Sequence, residues 1–345
     1  MSWKCHSATG GLLDYEEIIM ILYAAGMDDY PVYMMAKFNL RSPHSHFMAS
    51  YVRVSRDNPK LVGSRLRIIH DWYDKYVDDL SKTMILDSGA FTLLRQSRHS
   101  VKDSLRMHKT TGQAFNKIKN FEFYLEQYLE YVVTHKQLFT YFVEPDIGEA
   151  IGLGKIKQWR KSVAGIGLSN DRLIPVWHFG YMTWKDWEEM CREYPFVGVP
   201  GYNKTNADIY LTIIPRMVYW AYNQYGTRVH SFACLKPKLL SQIPFYSTDS
   251  SSWKAGERFG ATLVMQFRPH RDAYPKIVAY KEGSIREAGQ AILASGSSNK
   301  LNQLWTKQGL ADVHFKALAA QQGLQAYADY EIAITRLWDV RGIRW

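Results

Sequence analysis

Short apolar, β-rich runs recur along the chain with helical patterns between them, and that rhythm limits the folds open to it. The runs are VYMMAKF (32–38), TMILD (83–87), FTYFVEP (139–145), LIPVWHF (173–179), FVGVP (196–200), RVHSFAC (228–234), FYSTD (245–249) and ATLVMQF (261–267). Helical patterns fill 121–136, 153–163, 183–194, 206–224 and 236–242. In the fourth of these, Ile209, Ile213, Met217 and Trp220 form one stripe suited to packing on a sheet. Thr183 is placed to cap the third, with Asp186 three positions on. Eight strands alternating with helices predict an α/β chain folded as a (β/α)8 TIM barrel. The competing arrangement is an open doubly wound sheet, and no GxGxxG follows the first run.

The ends of the chain read as helical. Residues 14–25 form one helical pattern, which belongs with a barrel domain over 1–282. Residues 283–345 form a second helical stretch, broken at Gly296, Ser297 and Ser298, which predicts a C-terminal helical layer packed on the barrel. With 345 residues, 46% of them hydrophobic and 22% charged, the chain can bury a substantial core. Cys5, Cys191 and Cys234 are far apart and form no CxxC pair. A disulfide framework and a cysteine-rich zinc site are therefore not expected. No apolar run of about 18 residues or signal-like core is present, so the expected location is the cytoplasm, with no membrane partner. The net charge of +10 favours a polyanionic partner.

In a barrel of this kind, chemistry sits where the strands end. Reading those ends in order gives Asp87, Asp146, His178, the turn Gly198-Val199-Pro200-Gly201, His230 and Asp249. An aspartate after a strand is commonly a turn or helix cap, and a lone histidine is commonly a hydrogen-bonded core residue. Their recurrence at successive strand ends favours a site. Asp87 and Asp249 form the sharpest pair, each directly before a serine. Two carboxylates on one cleft suit reaction at an anomeric carbon, one attacking and the other handling protons. A shared cleft also predicts that their pKa values split. Between 95 and 119 the chain carries Arg95, Arg98, Lys102, Arg106, Lys109, Lys117 and Lys119, with His99 and His108, against the one acid Asp103. Arg268, His270 and Arg271 extend this basic set, which is suited to phosphate contacts beside the site and equally to a solvated loop.

The stretch MILDSGAFT (84–92) resembles the DSGGF motif of the tRNA-guanine transglycosylase superfamily. The later segments EPDIG, PVWHFG, FVGVPG and YSTDSSSW follow in the family's order, so the resemblance spans roughly 80–260. It is nearest to the phage and bacterial branch that acts on DNA, exchanging guanine for a 7-deazaguanine base such as preQ0. The resemblance implies that Asp249 is the nucleophile at C1′ of the sugar and Asp87 the general acid/base. It implies that Asp146 accepts hydrogen bonds from the guanine N1/N2 edge, while backbone around Gly198, Pro200 and Gly201 meets O6. His178 stands where the family has a glutamine. Ser88, Gly89 and Phe91 would shape the base pocket, with Phe91, Trp177 and Tyr202 as candidate stacking rings. No cofactor is implied, and no metal, because no cysteine follows Cys234 to build the zinc site of the tRNA enzymes. The implied partners are DNA, the free base and accessory modification proteins, in a host cytoplasm if the gene is a phage's.

Three other readings compete. One is a zinc-free transglycosylase acting on tRNA. Another is a metal-dependent amidohydrolase using His44-x-His46 with His178, His230 and Asp249. The last is a basic nucleic-acid-binding protein on a barrel without catalysis.

Overall fold

A computed structural model describes residues 20–26, 30–37, 40–55, 70–75, 82–90, 113–202, 206–254, 261–266, 271–281 and 312–343. Eight parallel strands form one sheet: β1 (Ile21–Ala25), β2 (His46–Ser50), β3 (Thr83–Asp87), β4 (Tyr141–Val143), β5 (Leu173–Ile174), β6 (Phe196–Val199), β7 (Arg228–Ser231) and β8 (Ser247–Ser250). The order β5-β4-β3-β2-β1-β8-β7-β6 runs round a barrel. Its two outer strands meet through a parallel bridge between Val176 and Gly198. The protein is a (β/α)8 barrel of the TIM type, as its alternating pattern predicts.

Helices cover the outside: α1 (Tyr30–Lys37), α2 (Tyr51–Val54), α3 (Gln113–His135), α4 (Gly148–Ile151), α5 (Leu153–Gly165), α6 (Trp184–Glu193), α7 (Ala207–Thr212), α8 (Ile214–Tyr225), α9 (Pro237–Leu240) and α10 (Asp312–Val340). The expected cap at Thr183 is present. Its hydroxyl accepts from the Asp186 amide, while Asp186 accepts from the Thr183 amide at 2.9 Å. The single helix expected over 206–224 is two, because Pro215 starts α8 afresh at its first turn.

The first two strands differ from the sequence reading. VYMMAKF is the body of α1, and its buried residues Val32 and Met35 are three apart, which is helical spacing. Conversely, residues 21–25 of the expected N-terminal helix are β1, while 14–19 lie outside the described residues. Ile21 and Tyr23 face the barrel interior, and Leu22 and Ala24 face the helices. A strand buried on both faces shows no alternation to read. The eighth expected strand, β9 (Ala261–Gln266), is outside the barrel. It pairs antiparallel with β10 (Lys276–Lys281). Asp249 therefore lies on the eighth barrel strand and not on the seventh.

Two cores result. Ile21, Tyr23, Met48, Ile85, Val143, Ile174, Val176 and Phe196 fill the barrel. The larger core lies between strands and helices, and Leu324, Tyr327, Tyr330, Ile334 and Trp338 of α10 join it. Helix α10 also completes the backbone pairing of β1, which meets β2 only at Ala24 and Ala25. Below that point Glu331 accepts from the Leu22 amide at 3.1 Å and Thr335 accepts from the Met20 amide at 3.0 Å. His44 donates to the Leu22 carbonyl at 2.6 Å. These side chains stand in for a missing β-ladder, which a buried strand requires. Among the described residues, no helix is long and apolar enough to cross a membrane.

Gly323 of α10 lies against the Trp253 carbonyl with no room for a Cβ. On an exposed helix face, Gly→Ala stabilises by roughly 0.5–1 kcal/mol. Here Gly323→Ala is expected to destabilise by about 1–3 kcal/mol through overpacking, read as a lower midpoint in urea unfolding.

Candidate active site

Every parallel strand of the barrel delivers its C-terminal end to the same mouth, and a pocket of about 380 Å³ opens there. Asp87 and Ser88 from the end of β3, Asp146 beyond β4, Pro200 and Gly201 beyond β6, and Asp249 of β8 all line it. Its walls are completed by Met48, Val143, Val176 and Phe232, with Tyr202 alongside. Three carboxylates thus converge on a partly apolar cleft whose volume is within the ~300–1,000 Å³ usual for small-molecule sites.

Asp87 both caps a turn and faces the pocket. Its Oδ2 accepts from the Gly89 amide at 3.1 Å. Gly89 has φ +72°, and a Cβ there would sit 2.5 Å from Val52, so this turn needs glycine. The Tyr124 hydroxyl donates to the Ser88 carbonyl and fixes the turn from behind. Across the mouth, the Tyr210 hydroxyl donates to the Pro200 carbonyl, and Asn206 donates to the Gly201 carbonyl at 2.8 Å. A Cβ on Gly201 would lie 2.5 Å from the Phe232 carbonyl, so the turns after β6 and β7 can touch only at a glycine.

Asp249 is 7% exposed. Its Oδ1 accepts from the Ala233 amide at 2.7 Å and lies 3.3 Å from His230 Nε2. The other nitrogen of His230 is 2.8 Å from the Ser247 hydroxyl. Ala233 has φ 48°, a left-handed conformation that costs a non-glycine residue about 1–2 kcal/mol and here aims its amide at the carboxylate. Asp146 is half-buried, and its Oδ1 is 2.5 Å from His178 Nε2. The His178 ring stacks on Tyr181, with centroids 5.4 Å apart.

Glu144, just after β4, and Arg160 of α5 form a buried bidentate pair at 2.6 and 2.9 Å. Burial works against the Arg160 charge, but Glu144 outweighs it and holds the guanidinium above its ordinary pKa. Glu144 also accepts from the Val176 amide at 2.8 Å, at the bridge that closes the barrel. Burial pushes the Cys234 thiol upward, away from the thiolate that a nucleophilic cysteine needs.

The pocket gathers Asp87, Ser88, Asp146, Pro200, Gly201, Tyr202 and Asp249 from the residues singled out in the sequence. Gly89 lies in the turn behind it, Gly198 lies within β6, and His178 reaches it through Asp146. Trp177 does not stack over the pocket. It is buried edge-on against Trp187 in the outer core and donates to the Thr183 carbonyl. Phe91, Arg95, Arg98, Lys102, Arg106, Lys109 and Arg268 lie outside the described residues, and Arg271 is exposed between β9 and β10. Of the histidines of the amidohydrolase reading, His230 reaches Asp249, while His178 is held at Asp146 and His44 and His46 are held elsewhere. His44 is bonded to Leu22, and His46 is bonded to Thr83 at 2.7 Å, where β3 begins. Among the described residues, no group of three or more His, Cys, Asp or Glu is arranged to hold a metal ion. Fold and site together define a (β/α)8 barrel with a three-carboxylate pocket at its C-terminal mouth. Compared with family models, with curated proteins and with solved structures, the chain matches none.

Arg160→Met would leave the Glu144 charge buried alone and is expected to cost about 3–5 kcal/mol. Adding Glu144→Gln, which keeps the acceptor for Val176, is expected to recover most of that loss. Chemical denaturation of the two variants measures both effects.

Proposed function

We propose that the protein is a base-exchange transglycosylase that replaces guanine in DNA with a 7-deazaguanine such as preQ0. The observation that carries this reading is the convergence of Asp87, Asp146 and Asp249 on one pocket. These are the three positions that the resemblance assigns to proton transfer, base recognition and nucleophilic attack.

In this reading the target guanine leaves the helical stack to enter the pocket, at a cost of a few kcal/mol. Asp146 accepts hydrogen bonds from its N1/N2 edge. Asp249 attacks C1′, so a C–O bond forms as the C1′–N9 bond breaks, and protonated Asp87 supplies the proton that guanine takes with it. The incoming base gives its N9 proton to the Asp87 carboxylate. Its N9 then attacks C1′ and releases the Asp249 carboxylate. Protons and electron pairs balance over the cycle, and no redox partner is consumed. Two displacements at one carbon retain its configuration. The net charge of +10 supports a polyanionic substrate. DNA is favoured over tRNA because the sequence resemblance is nearest to the DNA-acting branch.

The test is a base-exchange assay with radiolabelled guanine or preQ0, offering duplex DNA and bulk tRNA in parallel. Label is expected in DNA and to fall by more than ~10³-fold in Asp249→Asn, with DNA affinity retained. Label entering tRNA alone would keep the chemistry and overturn the substrate. Label entering neither would overturn the proposal.

A further inference from the structure

We infer that His230, held by Ser247, is the positioning residue that makes Asp249 a one-sided nucleophile. This role rests on the transglycosylase reading of Asp249.

His230 is fully buried, so it does not touch substrate. Its ring is enclosed by the edges and faces of Phe232, Tyr23 and Phe196, with centroids 4.4, 5.9 and 6.2 Å away. An imidazole in an aromatic cage must satisfy both nitrogens within the protein. Ser247 and Asp249 are the partners available. A carboxylate needs a donor, so Nε2 carries the proton and Nδ1 accepts from the Ser247 hydroxyl, which fixes the tautomer. The Ala233 amide aims at the same oxygen, so Oδ1 receives two N–H groups. Among the described residues, Oδ2 takes no hydrogen bond.

This asymmetry has chemical consequences. Two donors on Oδ1 fix the plane of the carboxylate and leave Oδ2 to form the bond to C1′. After attack, Oδ1 becomes the carbonyl oxygen of the ester. When the second base arrives, charge returns to Oδ1, and donors already in place stabilise that departure without reorganisation. Losing the His230 donor would slow the second displacement, in which charge returns to Oδ1, while leaving the pocket's shape and its affinity for DNA intact.

His230→Phe combined with Ser247→Ala removes the donor, suits the aromatic cage and leaves no orphaned hydroxyl. His230→Gln supplies an amide N–H in its place. The experiment measures the rate at which labelled preQ0 enters DNA after guanine has been released, which is the second displacement, by wild type and both variants, together with DNA affinity and melting temperature. The expected result is a rate constant lower by on the order of 10²-fold in the Phe/Ala variant, with affinity unchanged. His230→Gln is expected to recover to within about tenfold of wild type. A purely structural role would lower the amplitude and melting temperature of both variants and spare the rate constant. A Phe/Ala variant as fast as wild type, or a Gln variant as slow as Phe/Ala, would overturn the inference while leaving the transglycosylase reading intact. A wild-type protein that releases no guanine and incorporates no preQ0 would overturn both.

Discussion

Closure of the parallel sheet is the constraint on which everything else depends. Eight strands running the same way round a barrel must all end at one mouth, so residues far apart in sequence become neighbours there. Asp87, Asp146 and Asp249 share a pocket for this reason and no other. The closing seam is also the sheet's thinnest point. It is a single bridge between Val176 and Gly198, beside the two-residue strand β5. The Glu144–Arg160 pair is anchored at that seam through the Val176 amide. A buried ion pair is seldom a net gain in stability over apolar packing. Its use here is geometric, since it supplies the acceptor that a short strand cannot.

The same economy appears on the opposite side of the barrel. β1 pairs along its length with β8 but meets β2 only at its end, and α10 fills that side with Glu331 and Thr335. The C-terminal helix is therefore part of the barrel's hydrogen bonding as well as of its core. His44 belongs to this repair, which accounts for a His-x-His pair that invites a metal-binding reading. At the mouth, backbone strain at Ala233 and close approach at Gly201 serve the Asp249 carboxylate and the turns around it.

Much of this was legible in the chain. The runs that became β3 to β6 are mostly apolar and short, those that became β7 and β8 are buried although largely polar, and the polar strand ends marked the site. Asp87 read as a strand-end acid because TMILD is apolar up to that point. The N-terminal third misled for a physical reason. ILYAA is buried on both faces and carries no period, whereas VYMMAKF has strand-like composition that helical packing of Val32 and Met35 overrides. Side-chain pairings were not legible. The sequence grouped His230 with Asp249 only as metal ligands and did not join Glu144 to Arg160, because those hydrogen bonds exist only once neighbouring strands and helices are in register. The serine two residues before Asp249 was visible, but its partner was not.

The central claim is that Asp249 becomes covalently joined to the sugar. Its most direct test is mass spectrometry of the protein digested after a rapid acid quench of a single turnover with a short guanine-containing DNA duplex. A nucleotide-derived mass on the peptide containing Asp249, absent without DNA, is the expected result. The same mass on the peptide containing Asp87, or guanine release with no adduct at any quench time, would contradict it.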